Sequence, residues 1–551
     1  MNYPQLYLQA IKNGEEIAPE TIRAVYEREV ELMGRKDGDY VFDEAKGLRP
    51  IAFMERFCKL SKGQIGKPLR LELFQKAKIQ LAFGWLEKDT GLRRFREVGD
   101  VRGRKCGKST ETAGVAQYML MADGEGGAEI YCTANKLDQA KIIFDECVRM
   151  RAQSPSIRAL TTKRQNDIYY PATYSTIKAI SSDTKTMDGL NAHFFCLDEW
   201  HAARDRAVYD LMLQSQSTRD QPLAWLISTL GFYREGFCDS QVAYYKDVAL
   251  GTVKNDRLLP LLYWLDKKDE WTDPRMWPKA NPGLGKIKKL KTLQDYVEQA
   301  RNDPAFLPTV LVKDFNVPEI SGTAMLPYEA IVNERVAGME YLRKSYAIGG
   351  CDLSATTDLT CATLLIQKPY DHSVYVLQQY FLPRSKIDTL ARTKSKEAPY
   401  TLWADQGWLT ICDGAQVDYH QVTAWFVRMV REYNIRPLWV CYDRALSGYW
   451  VPEMEEYGFE MVKIAQGPFT WSQPLKEMMA AFMDHRVVYE NNPILRWCLT
   501  NTAVKAKNSE GIQTIQPVKM AANRRIDGTV SLLNAWVGFV KYADEYTRYV
   551  R

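Results

Sequence analysis

The chain has 551 residues, of which 46% are hydrophobic and 26% charged, and its net charge is +5 at pH 7. Such a length exceeds what one core organises, so two or more domains are expected, with globular composition. No apolar run reaches the roughly 18 residues of a membrane helix, and the N-terminus MNYPQLYLQAIKNGEE lacks the basic and apolar regions of a signal peptide. An intracellular, soluble protein with no membrane partner is expected. The 11 cysteines form no CxxC pair, which points to reduced buried thiols rather than a zinc ribbon. His193, His201, His372, His420 and His485 show no HExxH spacing. The mild positive charge neither demands nor excludes nucleic acid. The basic runs Arg93-Arg94-x-Arg96 and Lys286-x-Lys288-Lys289-x-Lys291 read first as solvated faces.

Residues 1–60 read as a charged helical segment. From 61 to 240, helical periodicity alternates with short apolar runs: AEIYCTA (128–134), HFFCLDE (193–199) and AWLISTL (224–230). That alternation predicts a parallel sheet with crossover helices. Residues 241–325 are rich in Pro, Trp and Lys and read as a helical and loop subdomain, with the linker at VPEISGTAMLPYEA (317–330). Residues 326–551 form a second unit. SYAIGGCDLS (345–354), SVYVLQQYFL (373–382) and RPLWVCYDRA (436–445) read as strands, the first and third running into aspartates. GTVSLLNAWVGFVKYADEY (528–546) reads as a late helix. Strands ending in carboxylates, followed by a helix that a carboxylate opens, predict a ribonuclease H-like α/β fold.

Two constellations carry chemistry. In VRGRKCGKST (101–110), Gly107-Lys108-Ser109 has the makings of a phosphate loop, in which backbone N–H groups and a helix N-terminus hold phosphates. Lys108 would reach the β- and γ-phosphates, Ser109 would hold Mg²⁺, and Thr110 would start the helix. The standard spacing puts a first glycine where Arg102 stands, with Gly103 one place off. The strand before it, FREVGDV (95–101), is more polar than a buried parallel strand should be. Downstream, Asp198 at a strand tip is the candidate Mg²⁺ holder and Glu199 the base that polarises water. Ser228-Thr229 end the next apolar run and could sense the γ-phosphate. Gln75, after an aromatic and ahead of the loop, could bond an adenine edge. In the second half Asp352, Asp443 and Asp527 are the candidate ligands of two divalent ions about 4 Å apart, one activating water and the other stabilising the leaving 3′-oxygen. Hard oxygen ligands suit Mg²⁺ or Mn²⁺. Asp358 is a further candidate ligand, and Asp413 and Asp418 are alternatives.

These strings together resemble the large subunits of tailed-bacteriophage terminases, in the branch whose phosphate loop reads Arg-Lys-x-Gly-Lys-Ser. Arg104-Lys105-Cys106-Gly107-Lys108-Ser109 matches it, and in that branch the first loop glycine is normally absent. MDGLNAHFFCLDEWH (187–201), STLGFYREG (228–236), WPKANPGLG (277–285), CDLSATTDLT (351–360), GPFTWSQPLKEM (467–478) and IDGTVSLLNAW (526–536) also match. The resemblance spans roughly residues 65–545. It implies an N-terminal P-loop NTPase domain with a parallel sheet and crossover helices, and a C-terminal ribonuclease H-like nuclease domain. It makes Gln75 the adenine contact, Arg104 and Lys108 phosphate contacts, Asp198 and Glu199 the Walker B pair, and Ser228 and Thr229 the coupling motif. Asp352, Asp443 and Asp527 become the metal triad. ATP with Mg²⁺ or Mn²⁺ would be the cofactors. Double-stranded DNA, a small terminase subunit and the portal of a procapsid would be the partners, with a homo-oligomeric ring forming on the portal in the host cytoplasm. The cysteine beside the phosphates is a departure from the usual loop. No arginine finger stands out, Arg204 and Arg206 reading as surface residues. Two other readings stay open at this level: a helicase- or recombinase-type ATPase-nuclease, and a non-catalytic DNA-binding assembly scaffold.

Overall fold

A computed structural model describes residues 1–551 except 36, 181–188, 204, 233, 235, 304–305, 320–323, 357, 394–397, 444–447, 510–511, 521–523 and 551. Arg204 and part of the expected linker therefore lie outside the described residues. The chain divides into two compact units, Met1–Pro318 and Glu319–Arg551.

The first unit contains a small antiparallel pair, β1 (Tyr40–Phe42) with β2 (Trp85–Glu87), and one large sheet. The sheet's strands are β3 (Glu97–Val101), β4 (Glu129–Ala134), β5 (Thr162–Lys163), β6 (Asp167–Tyr170), β7 (Ser175–Ala179), β8 (Ala192–Asp198), β9 (Leu223–Ser228) and β10 (Leu258–Leu262). Their order is β10-β3-β9-β8-β4-β7-β6-β5. The six strands from β10 to β7 run parallel, and β6 and β5 extend the sheet antiparallel. Strands β8 and β9 are buried at every position, as expected of strands covered on both faces. Because β10 pairs with β3, the sheet takes in chain beyond residue 240. Strand β9 lies between β3 and β8, so the ends of all three point at one crevice.

The polar character of β3 has a physical cause. Asp100 lies in a buried ion cluster: Lys78 Nζ is 2.5 Å from Asp100 and 2.6 Å from Glu111, and the Arg102 guanidinium is 2.5 Å from Glu111 and 3.1 Å from Asp100. Glu97 accepts hydrogen bonds from the hydroxyls of Tyr209, at 2.8 Å, and Tyr245. Charges are tolerated in a core when paired in this way. Pairing also corrects the reading of the first basic run as a solvated face. Arg93 and Arg94 are buried and bridge Asp123 and Glu29, while Lys288 is buried against Asp314 at 2.6 Å.

In the second unit a sheet is built from β11 (Tyr346–Asp352), β12 (Thr360–Gln367), β13 (Val374–Pro383), β14 (Leu409–Cys412), β15 (Arg436–Asp443), β16 (Met461–Ile464) and β17 (Val487–Val488). The order is β14-β13-β12-β11-β15-β16, with β17 beside β13. Strand β12 runs antiparallel to both neighbours, while β15 and β16 are parallel to β11. A three-strand meander continued by parallel strands is the ribonuclease H-like arrangement. Strand β12 is one that periodicity missed: TCATLLIQ is buried at every position but the last, so it lacks the alternation of a half-exposed strand. A separate hairpin joins β18 (Thr502–Ser509) and β19 (Ile512–Lys519).

Candidate active sites

The phosphate loop connects β3 to helix α1 (Lys108–Met121). Gly107 caps that helix at φ 80°, and Lys105 is at φ 64°. Left-handed conformations turn a chain sharply, and at Gly107 they cost nothing for want of a Cβ. The turn aims the first helical N–H groups back over the strand end. Lys108 is buried and donates to the carbonyls of Arg102 at 2.7 Å and Gly103 at 3.1 Å. Ser109 and Thr110 are half-buried at the start of the helix, while Arg104 and Lys105 are exposed. Arg102, where a first glycine would stand, turns inward to the ion cluster instead.

Asp198 ends β8 and is 4% exposed. Burial, then the Glu199 charge, push its carboxyl up to about 7, and Lys108 works against them. Glu199 follows at φ 51°, a conformation rare outside glycine and asparagine. Its N–H donates to Ile227 at 3.1 Å and its carbonyl accepts from the Asn135 amide at 3.2 Å. Its carboxylate is 3.0 Å from His201 Nδ1. Ser228 Oγ, at the end of β9, is 2.9 Å from the same nitrogen, and Thr229 Oγ1 donates to the Leu230 carbonyl at 3.1 Å. Burial, followed by the charges of Lys313, Lys108, Arg234 and Arg104, lowers His201 to about 3, so the ring is neutral. Lys108, Asp198, Glu199 and Ser228 thus converge on one crevice.

Gln75 is buried beside the loop, its Nε2 3.9 Å from where a Cβ on Gly107 would lie. Its amide already has two partners: Oε1 accepts from the Glu72 N–H at 3.0 Å, and Nε2 donates to Glu111 at 3.0 Å. Arg206 pairs with Asp210 at 2.8 Å on the surface. The loop also has partners that sequence reasoning did not single out. Gly103 N–H donates to Ala280 O and Arg104 N–H to Lys313 O, both at 2.8 Å. Cys106 is buried with its Sγ 3.6 Å from Asn281 Oδ1, which also accepts from Lys288 at 2.7 Å. The segment WPKANPGLG carries no spacing that foretells its packing on the phosphate loop.

In the second unit, Asp352 and Asp443 end the neighbouring parallel strands β11 and β15, which pair up to Cys351 and Tyr442. Asp527 opens helix α2 (Asp527–Lys541) and is buried. That helix lies against β11 and β12: Asn534 Nδ2 donates to Cys351 O of β11 at 2.9 Å, and Ser531 Oγ to Cys361 O of β12 at 3.0 Å. Burial, then the charges of Asp527 and Asp443, push the Asp352 carboxyl well above the usual range, with Lys519 opposing. The three carboxylates are therefore electrostatic neighbours. Among the described residues no group of three or more His, Cys, Asp or Glu side chains is set as a ready-made metal cage. The donor set still fits a divalent ion, because hard oxygens that repel one another gain most from a cation among them. Asp358 is held by Lys519 at 3.2 Å and by Arg525. Asp413 is exposed and pairs with Arg384 at 3.0 Å, and Asp418 caps the following helix.

Two family models match in succession: terminase large subunit, ATPase domain, over residues 73–247, and terminase large subunit, endonuclease domain, over residues 252–542. The chain belongs to the terminase large-subunit family. The endonuclease match begins inside the first compact unit, ahead of β10. The chain is 27% identical over 500 residues to the terminase large subunit of Enterobacteria phage HK97, covering 88% of this chain and 94% of that one. It is 23% identical over 558 aligned positions to the terminase large subunit of Lactococcus phage SK1, covering 97% and 98%. The crystal structure of the HK97 large terminase matches with a TM-score of 0.48 at 23% identity, over 90% of this chain and 99% of that one. Membership of the family makes this terminase an ATPase and an endonuclease of viral genome packaging, using nucleotide and divalent metal. No helix among the described residues is long and apolar enough to cross a membrane.

Proposed function

We propose that the first constellation hydrolyses ATP to drive double-stranded DNA into a procapsid, and that the second cuts the concatemeric genome. The observation that supports this reading is that each unit gathers acids where strands end: Asp198 and Glu199 at β8 in the first, Asp352 and Asp443 at β11 and β15 with Asp527 at the start of α2 in the second. In the first, the N–H groups at the start of α1, with Lys108 and Arg104, bind the phosphates. Ser109 and Asp198 hold Mg²⁺, and Glu199 orients and deprotonates the attacking water. Ser228 and Thr229 link the crevice to movement. Gln75 contacts adenine after exchanging one of its present partners. In the second, Asp352, Asp443 and Asp527 hold Mg²⁺ or Mn²⁺, which when bound lowers the pKa of a water and neutralises charge on the phosphodiester. DNA contact is mostly to the backbone and salt-dependent. A small terminase subunit chooses the site, and a ring of subunits assembles on the portal in the host cytoplasm.

The test compares full-length wild type, Lys108→Ala and Asp352→Ala for ATP hydrolysis and for plasmid cleavage with Mg²⁺ or Mn²⁺. Lys108→Ala should lose hydrolysis by on the order of a hundredfold or more and keep cutting; Asp352→Ala should do the reverse. Normal hydrolysis by Lys108→Ala sinks the first assignment. Undiminished cutting by Asp352→Ala sinks the second.

A further inference from the structure

His201 connects three parts of the ATPase crevice that no motif joins. Its ring lies flush on Gly231: a Cβ there would be 2.7 Å from His201 Cδ2 and 3.1 Å from its carbonyl oxygen. Only glycine leaves that space. Nε2 is 2.9 Å from Lys313 Nζ. An ammonium has donors and no acceptor, so Nε2 accepts and the ring proton is on Nδ1. Nδ1 in turn faces the Glu199 carboxylate at 3.0 Å and Ser228 Oγ at 2.9 Å, while the His201 N–H donates to the same Oγ at 3.2 Å. Lys313 belongs to the helix Leu307–Phe315. Its backbone carbonyl accepts the Arg104 N–H at 2.8 Å, so one residue holds the phosphate loop by its main chain and, through His201, reaches Glu199 by its side chain. The Glu199 backbone, left-handed at φ 51°, is held by Ile227 and Asn135, which leaves His201 the contact that orients its carboxylate.

We propose that Lys313 and His201 are positioning residues for ATP hydrolysis: the chain Lys313–His201–Glu199 aims the carboxylate at the attacking water and makes the aim depend on the docking of the helix Leu307–Phe315 against the phosphate loop. This rests on Glu199 as the base. The relay acts on the chemical step and leaves phosphate binding to Lys108 and the loop, so its loss lowers kcat with little change in KM.

The experiment is steady-state ATP hydrolysis by full-length wild type, Glu199→Gln, His201→Phe, His201→Gln, Lys313→Met and the His201→Phe/Lys313→Met double variant, with thermal melts of each. His201→Phe and Lys313→Met should each lower kcat on the order of ten- to a hundredfold, the size that misaiming a reacting group produces. KM for ATP should stay within about threefold. The double variant should be no worse than the poorer single, since both break one chain. His201→Gln should recover most of the rate, because its amide oxygen accepts from Lys313 while its N–H donates to Glu199. If Glu199→Gln hydrolyses ATP normally, the base assignment fails and the relay with it. If Glu199→Gln is inactive but a folded Lys313→Met or His201→Phe keeps its kcat, or if the two losses multiply in the double variant, the relay alone is overturned. Should His201→Phe not fold, Lys313→Met and His201→Gln decide the matter by the same criteria.

Discussion

Asp198 and Arg102 show two ways of burying charge in one small region. Arg102 meets Asp100 and Glu111, and Lys78 completes the balance, so the Glu111 carboxyl is lowered: burial opposes it, but the Arg102 and Lys78 charges prevail. Asp198 lacks such a balance: burial, then the neighbouring Glu199 charge, lift it to about 7 against Lys108. The consequence for stability has a definite sign. A carboxyl raised in the folded state favours folding while it is protonated. That contribution is complete below the unfolded value near 4 and is lost as pH rises to about 7. Asp198→Asn should therefore raise the melting temperature of the nucleotide-free, metal-free protein at about pH 8 and leave it nearly unchanged at about pH 4. The gain is at most about 4 kcal/mol. Melts at both pH values check it, and an equal or lower melting temperature for the variant at the higher pH counts against the electrostatic account. Cys106 shows a further residue-scale point. A departure from the usual phosphate loop, it is one of 11 buried, unpaired cysteines and fills space against Asn281.

Among elements, the close approach of α2 to β11 does most to set the nuclease constellation. Gly350 makes it possible, because a Cβ there would lie 2.4 Å from Ser531 O and 2.5 Å from Ala535 N. Both are backbone atoms and cannot turn aside. Gly350→Ala should push the helix off the strand, moving Asp527 away from Asp352. The expected cost is about 1–3 kcal/mol of stability, with metal-dependent cleavage reduced and ATP hydrolysis unchanged. Thermal melts and both activity assays measure this; a variant with full cutting shows that α2 does not set the site. The elements were unevenly legible in the sequence. Strands β4, β8, β9, β11, β13 and β15 stand out because each carries a short run of large apolar residues. Strand β12 does not: it lacks alternation as β8 and β9 do, and its first half, Thr360-Cys361-Ala362-Thr363, has no large aliphatic or aromatic side chain to mark an apolar run. The roles of Gly350 and Gly231 follow only from what packs against them.

At the scale of the whole chain, the break between Pro318 and Glu319 separates two units, each with its own hydrophobic clusters and its own acidic constellation. Residues 1–318 and 319–551, expressed separately, should each fold cooperatively, as cores closed within one unit allow. The first should hydrolyse ATP and the second should cut plasmid with metal. Calorimetry and the two assays test this, and an aggregated or unfolded fragment shows that one unit needs the other. The sequence by itself determined the two-part plan, the parallel and ribonuclease H-like sheets, and the acids that end their strands, because hydrophobic patterning and strand termini are local properties of the chain. Only the tertiary structure decided which partners those residues take. Gln75 shares its amide between Glu72 and Glu111, Asp358 is held by Lys519 and Arg525, and Lys313 reaches Glu199 through His201. Hydrogen bonds and ion pairs join residues as far as 246 positions apart, as Glu20 and Asp266 show, and no local pattern encodes a contact that forms only when separate strands and helices pack together.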